Sequence, residues 1–111
     1  MNFEIITTLH FRKEFKRLLK KYPSLQEDVD KLGDMLQENP WMGTEVFKNC
    51  YKIRFAIKSK GAGKSGGGRL ITHVKIVDKC VFLMSIYDKS EIAAITDVRL
   101  KRLLQDLDKT L

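Results

Sequence analysis

The sequence predicts an α+β fold: an antiparallel sheet of about four strands packed against an N-terminal helical hairpin, with a C-terminal helix. Three observations carry this reading. Two early segments hold apolar residues at helical period, the middle of the chain alternates at strand period, and a final leucine stripe returns to helical period. The 111 residues suit one domain, 1–111, and 43% hydrophobic content is enough to bury a core of ordinary size.

Phe3-Glu4-Ile5-Ile6-Thr7 is rich in strand formers and is assigned as a first strand. Thr7 or Thr8 can cap a helix, because a threonine oxygen accepts from an orphan backbone N–H. In that helix Phe11, Phe15, Leu18, Leu19 and Tyr22 form one apolar stripe. Arg12, Lys13, Lys16, Arg17, Lys20 and Lys21 cover its other side, against the single acid Glu14, and Pro23 stops it. Ser24-Leu25-Gln26-Glu27 has the spacing of a capping box. Leu25, Val29, Leu32 and Leu36 stripe the second helix, which ends at Asn39-Pro40. Residues 8–38 therefore read as an antiparallel helical hairpin.

Trp41 to Lys48 leads into a short strand at Glu45-Val46-Phe47. From Tyr51 to Lys58, Tyr51, Ile53, Phe55 and Ile57 face one way, and Lys52, Arg54, Ala56 and Lys58 the other. From Arg69 to Val77, Leu70, Thr72, Val74 and Ile76 oppose Arg69, Ile71, His73 and Lys75. Cys80 to Tyr87 is nearly all apolar, the mark of a strand covered on both faces and central or close to it. Val77-Asp78-Lys79 is a hairpin connection, and strands this close in sequence pair antiparallel. Thr96 can cap a last helix striped by Leu100, Leu103, Leu104, Leu107 and Leu111.

Charge is distributed unevenly. The net charge is +7, and between Glu45 and Asp78 there is no acid but eight bases: Lys48, Lys52, Arg54, Lys58, Lys60, Lys64, Arg69 and Lys75. A sheet face of one sign is suited to a polyanion. No apolar run is long enough for a membrane span, and the first residues lack the order of a signal peptide, so a cytoplasmic location is expected. Cys50 and Cys80 sit among apolar strand residues and read as buried filler.

Gly63-Lys64-Ser65 invites a nucleotide-binding reading, which its context rejects. The position five before Gly63 is Lys58 rather than glycine, and Gly66-Gly67-Gly68 cannot start a helix. The stretch reads instead as a long, mobile hairpin loop whose Lys60 and Lys64 can touch phosphate. His10, His73 and the cysteines lack metal-ligand spacing, so no metal is expected. No Ser-His-Asp or paired-carboxylate arrangement is apparent. Any catalysis would fall to Lys and Arg. Such a cluster can hold a phosphate and stabilise a pentacoordinate transition state, while RNA supplies its own 2′-hydroxyl nucleophile. The alternative is that Lys52, Arg54 and Lys58 form a solvated face.

The ordered set Tyr51-Lys52-Ile53-Arg54, Gly68-Arg69-Leu70-Ile71, and the Val81-to-Tyr87 strand followed by Lys89 resembles the RelE/ParE toxin superfamily, nearer its RelE and HigB branches. The resemblance spans nearly the whole chain. It implies the toxin of a type II toxin–antitoxin pair, a ribosome-dependent mRNA endonuclease that inhibits translation. Its partners would be a cognate antitoxin, the ribosome and mRNA, with no metal or small-molecule cofactor and no membrane. It implies catalytic roles for Arg69 at the phosphorane, Lys52 and Arg54 at the phosphate, and Lys89 near the leaving oxygen. Lys58, Lys60, Lys64, His73, Lys75 and Tyr87 are the RNA-binding candidates. Many members carry an aromatic residue before the strand-start arginine, where this chain has Gly68. Others carry a tyrosine past the last strand, where it has Ile92-Ala93-Ala94-Ile95. Two other classes stay open: a ParE-like DNA gyrase inhibitor and a non-catalytic RNA- or ribosome-binding domain.

Overall fold

A computed structural model describes residues 2–110, with side chains up to Leu107. The order is β1 (Glu4–Thr7), α1 (Leu9–Lys21), α2 (Leu25–Glu38), β2 (Thr44–Phe47), β3 (Cys50–Phe55), a 3-10 turn at Lys58–Lys60, β4 (Gly68–Lys75), β5 (Cys80–Asp88) and α3 (Asp97–Thr110). The α+β class holds, with five strands in one sheet of order β1-β5-β4-β3-β2. The sheet is mixed: β2 through β5 pair antiparallel in chain order, whereas β1 runs parallel to β5 at the edge. The parallel pair follows from chain path, because the helical hairpin and three strands separate β1 from β5. No described helix is long and apolar enough to cross a membrane.

The sheet is covered on both faces. Phe11, Leu18, Tyr22, Leu25, Val29, Leu32 and Leu36 of the hairpin pack on Ile53, Phe55, Leu70, Val74, Val81, Leu83 and Ile86. Leu100, Leu103 and Leu107 of α3 pack on Ile71, Cys80, Phe82, Met84 and Tyr87 on the other side. Each buried Leu or Phe contributes about 1.5–3 kcal/mol relative to exposure. Leu111, the last residue of the expected α3 stripe, lies outside the described residues. Both cysteines are buried thiols, and burial, aided by Glu45, pushes Cys50 up to about 11.

One local expectation holds and two change. Thr8 caps α1, accepting from the Phe11 N–H at 3.2 Å and donating to the Leu83 carbonyl at 2.9 Å. Ser24, however, makes no side-chain cap. Its hydroxyl donates to Asp28 at 2.7 Å and accepts from the Ser59 N–H at 2.8 Å, so α2 is tied to the 3-10 turn instead. The Tyr51–Lys58 strand stops at Phe55, because the chain turns into the 3-10 segment.

A bulge in β5 was invisible in the alternation. Ile71 pairs with Ser85 but Thr72 pairs with Leu83, leaving Met84 as an extra residue. The bulge shifts the phase of the strand. Leu83 faces the hairpin, while Tyr87 faces α3 with Arg69 and Arg54. The free edge of β5 beyond β1 is closed by Glu14, whose Oε1 accepts from Ser85 Oγ at 2.7 Å and the Ile86 N–H at 3.1 Å.

Candidate nucleic-acid interface

The cations of the acid-free stretch fall into two groups. Residues elsewhere in the chain neutralise three of them. Lys58 pairs with Glu27 at 3.8 Å, Lys75 with Asp78 at 3.1 Å, and Lys60 with Asp88 at 2.6 Å. Lys48, Lys52, Arg54, Lys64 and Arg69 have no ion pair among the described residues. Lys52, Arg54 and Lys64 line one open depression of about 420 Å³, whose rim is Met42, Gly43 and Thr44. Gly43 is required there: its φ is +94°, and a Cβ would sit 2.4 Å from the Lys52 carbonyl oxygen. The chain at Gly43 thus lies close against the Lys52 carbonyl and the Ile53 side chain.

Arg54 and Arg69 stand directly opposite each other on β3 and β4, on the α3 side of the sheet. Like charges in this position repel. Part of that repulsion is absorbed, because the Arg69 guanidinium, 5% exposed, donates to three carbonyls: Lys64 at 3.0 Å, Gly68 at 2.9 Å and Ser65 at 3.2 Å. Three of its five N–H donors are used in these bonds. Arg54 is exposed and its charge is unmatched.

The glycine stretch is anchored, in contrast to the mobile loop its composition predicts. Besides the Arg69 bonds, Ser59 is held by Ser24, Lys60 by Asp88, and the Gly67 carbonyl by the Lys89 N–H at 3.0 Å. Gly63-Lys64-Ser65 lies in turns and leads into β4, with no helix after it. Gly68 fits because the Phe55 ring fills the space its side chain would take; a Cβ there would come within 2.4 Å of the ring. That explains the missing aromatic residue.

The other expected site residues are placed as follows. Lys89 follows β5, and its ammonium donates to the Ala93 carbonyl at 3.1 Å, so it turns toward the loop before α3. Tyr87 cannot stack on a base: it is 2% exposed, in the layer beneath α3, and burial pushes its phenol up. The bulge put it there. His73 and Lys75 lie four and six residues along β4 from Arg69, roughly 13 and 20 Å away. His73 is half-buried, with Nδ1 3.6 Å from Cys50 Sγ and its ring stacked on Phe82. Lys60 is engaged by the buried Asp88 carboxylate, whereas Lys58 makes only a 3.8 Å surface pair with Glu27 and stays exposed. The structure therefore gathers Lys52, Arg54, Lys64 and Arg69, sets Tyr87 opposite Arg69 but buried, and leaves His73 and Lys75 apart. Among the described residues no His, Cys, Asp and Glu group could hold a metal ion.

Asp88 was not singled out by sequence reasoning. Its carboxylate is fully buried and accepts from Lys60 Nζ at 2.6 Å, Tyr22 OH at 2.5 Å, and the Ser90 N–H and Oγ at 3.0 and 2.8 Å. Burial pushes its pKa up, but the bonds from Lys60, Tyr22 and Ser90 prevail and hold it far below the usual carboxylate range. The same bond from Tyr22, with burial, raises the Tyr22 phenol. The available signal was an acid closing a strand of otherwise apolar residues.

No family model matches the sequence, and no curated protein matches it. Solved structures do match. An arginine-to-alanine double mutant of the E. coli toxin RelE in its free state is 17% identical, covers 96% of this chain and 98% of its own, and superposes with a TM-score of 0.64. The same mutant bound to a peptide of the antitoxin RelB is 22% identical, with coverage of 87% and 98% and a TM-score of 0.62. RelE in the intact E. coli RelBE toxin–antitoxin complex gives 20%, 78% and 95%, and 0.59. From β1 to α3, the chain has the fold of the RelE toxins.

Proposed function

We propose that the protein is the toxin of a type II toxin–antitoxin pair and that it cleaves mRNA on the ribosome. One observation carries the reading: Arg54 and Arg69 face each other beside Lys52 and Lys64, with no carboxylate paired to any of the four among the described residues. A fold that retains such repulsion is stabilised by an anion between the charges. The similarity to RelE in fold supports the choice of RNA as that anion.

In this mechanism Lys52 and Arg54 hold the scissile phosphate, and Lys52, as the neutral amine, takes the proton of the 2′-hydroxyl. The 2′-oxygen attacks phosphorus, and the bond to the 5′-oxygen breaks. Arg69 offers its positive charge to the phosphorane, where negative charge increases. Lys89 swings from the Ala93 carbonyl toward the leaving 5′-oxygen, and its ammonium gives that oxygen a proton. The products are a 2′,3′-cyclic phosphate and a 5′-hydroxyl. The cognate antitoxin lays an apolar segment in the groove of about 350 Å³ between the start of α1 and α3, over Leu9, Met84, Leu103 and Leu107.

The burial of Arg69 and its bonds to three loop carbonyls favour, as second reading, a domain that binds ribosomal or message RNA without cutting it. Primer extension on ribosome-bound message, after brief expression, separates the two. New 5′ ends within codons are expected. Ribosome binding without new ends supports the binder, and DNA breaks with translation intact support a gyrase-directed toxin.

A further inference from the structure

The loop that carries Lys64 should be expensive to order. Residues 61–67 include Gly61, Gly63, Gly66 and Gly67, and glycine loses more backbone freedom than any other residue. Yet the carbonyls of Lys64 and Ser65 must stay in place to hold Arg69. Both ends of the loop meet at Asp88. At the entrance, Lys60 binds the Asp88 carboxylate, and its ammonium also reaches Ser90 Oγ at 3.2 Å. At the exit, Gly68 is the register partner of Asp88 in the β4–β5 ladder, and the Lys89 N–H binds the Gly67 carbonyl. Tyr22 fixes the other carboxylate oxygen to the end of α1.

A buried ion pair is a poor way to gain stability, since apolar residues of similar size do as well. What it provides is geometry. We infer that Asp88, acting through Lys60, is a positioning residue that staples the glycine loop across its two ends, so that Lys64 and Arg69 converge on the phosphate held by Lys52 and Arg54. Lys60 then serves the site from behind and does not touch RNA. The inference rests on the RNA-cleaving reading for its consequence, and on the loop alone for its geometry.

The test uses Lys60→Met, Lys60→Arg and Asp88→Asn in the full chain, with two readouts. The first is tryptic cleavage after Lys64 in the native protein. Lys60→Met and Asp88→Asn are expected to speed it at least about tenfold, as local opening replaces a pinned loop, and Lys60→Arg to restore protection. The second is ribosome-dependent cleavage: kcat falls about tenfold in Lys60→Met and Asp88→Asn with KM within about twofold, and Lys60→Arg recovers it. Should Asp88→Asn fail to fold, Lys60→Met carries the test. Unchanged loop protection in Lys60→Met overturns the inference, as does loss of kcat from Lys60→Met alone with Asp88→Asn fully active, the pattern of a direct phosphate contact. If wild type cleaves nothing, the RNA-cleaving reading fails, and loop protection alone decides whether Asp88 is the staple.

Discussion

Asp88 ties three parts of the structure together through one carboxylate: α1 through Tyr22, the glycine loop through Lys60, and the strand end through Ser90, with Lys21 4.0 Å away at the rim. Its folded-state pKa is depressed from an ordinary 3.8, so the unfolded chain binds more protons near that pH. The stabilisation is full above the unfolded value and is lost as pH falls through it toward the folded one. Asp88→Asn should therefore lower stability at pH 7 by about 3 kcal/mol, and the gap to wild type should begin to narrow below roughly pH 4. Urea melts of both proteins from pH 7 to pH 3 measure this; a gap that does not change with pH would show that the charge is not what matters. Cys50, with its thiol pushed up to about 11, should resist alkylation at pH 8 until the chain unfolds.

Strands and helices differ in how openly the sequence declared them. The hairpin stripes and the alternation of β3 and β4 were legible, because one buried face writes its period directly into the chain. The β5 run was legible as a strand covered on both faces, but which residue faced which layer was not, because burial on both faces erases the period and hides the bulge at Met84. That single residue decided whether Tyr87 faced Arg69 and whether it could stack on a base. The Ser24 box failed because Ser59, distant in sequence, competed for the hydroxyl. Likewise the basic face looked uniform only because the neutralising acids, Glu27, Asp78 and Asp88, lie outside the stretch or at its end. Of the site, Lys52, Arg54 and Arg69 were legible as residues, while their contrast with Lys60 was not. Gly68 gives a test at this scale. Gly68→Ala should cost about 1–3 kcal/mol, since the Phe55 ring, itself packed in the core, must shift; an unchanged melting curve would mean that the ring moves freely.

At the scale of the whole molecule, two packed layers hold a mixed sheet that collects Lys52, Arg54, Lys64 and Arg69, none of them ion-paired among the described residues. The claim that this cluster exists to hold a scissile phosphate has a consequence that ordinary structural residues do not share: function and stability should move in opposite directions. The most direct measurement takes Arg54→Ala and records, on the same preparation, its thermal midpoint and its rate of ribosome-dependent mRNA cleavage. Removing one of two facing like charges should leave stability unchanged or raise it by up to about 1 kcal/mol, while cleavage falls by about 100-fold, as when a transition-state donor is lost. Cleavage at the wild-type rate, or a loss of activity matched by a loss of stability, would contradict the account.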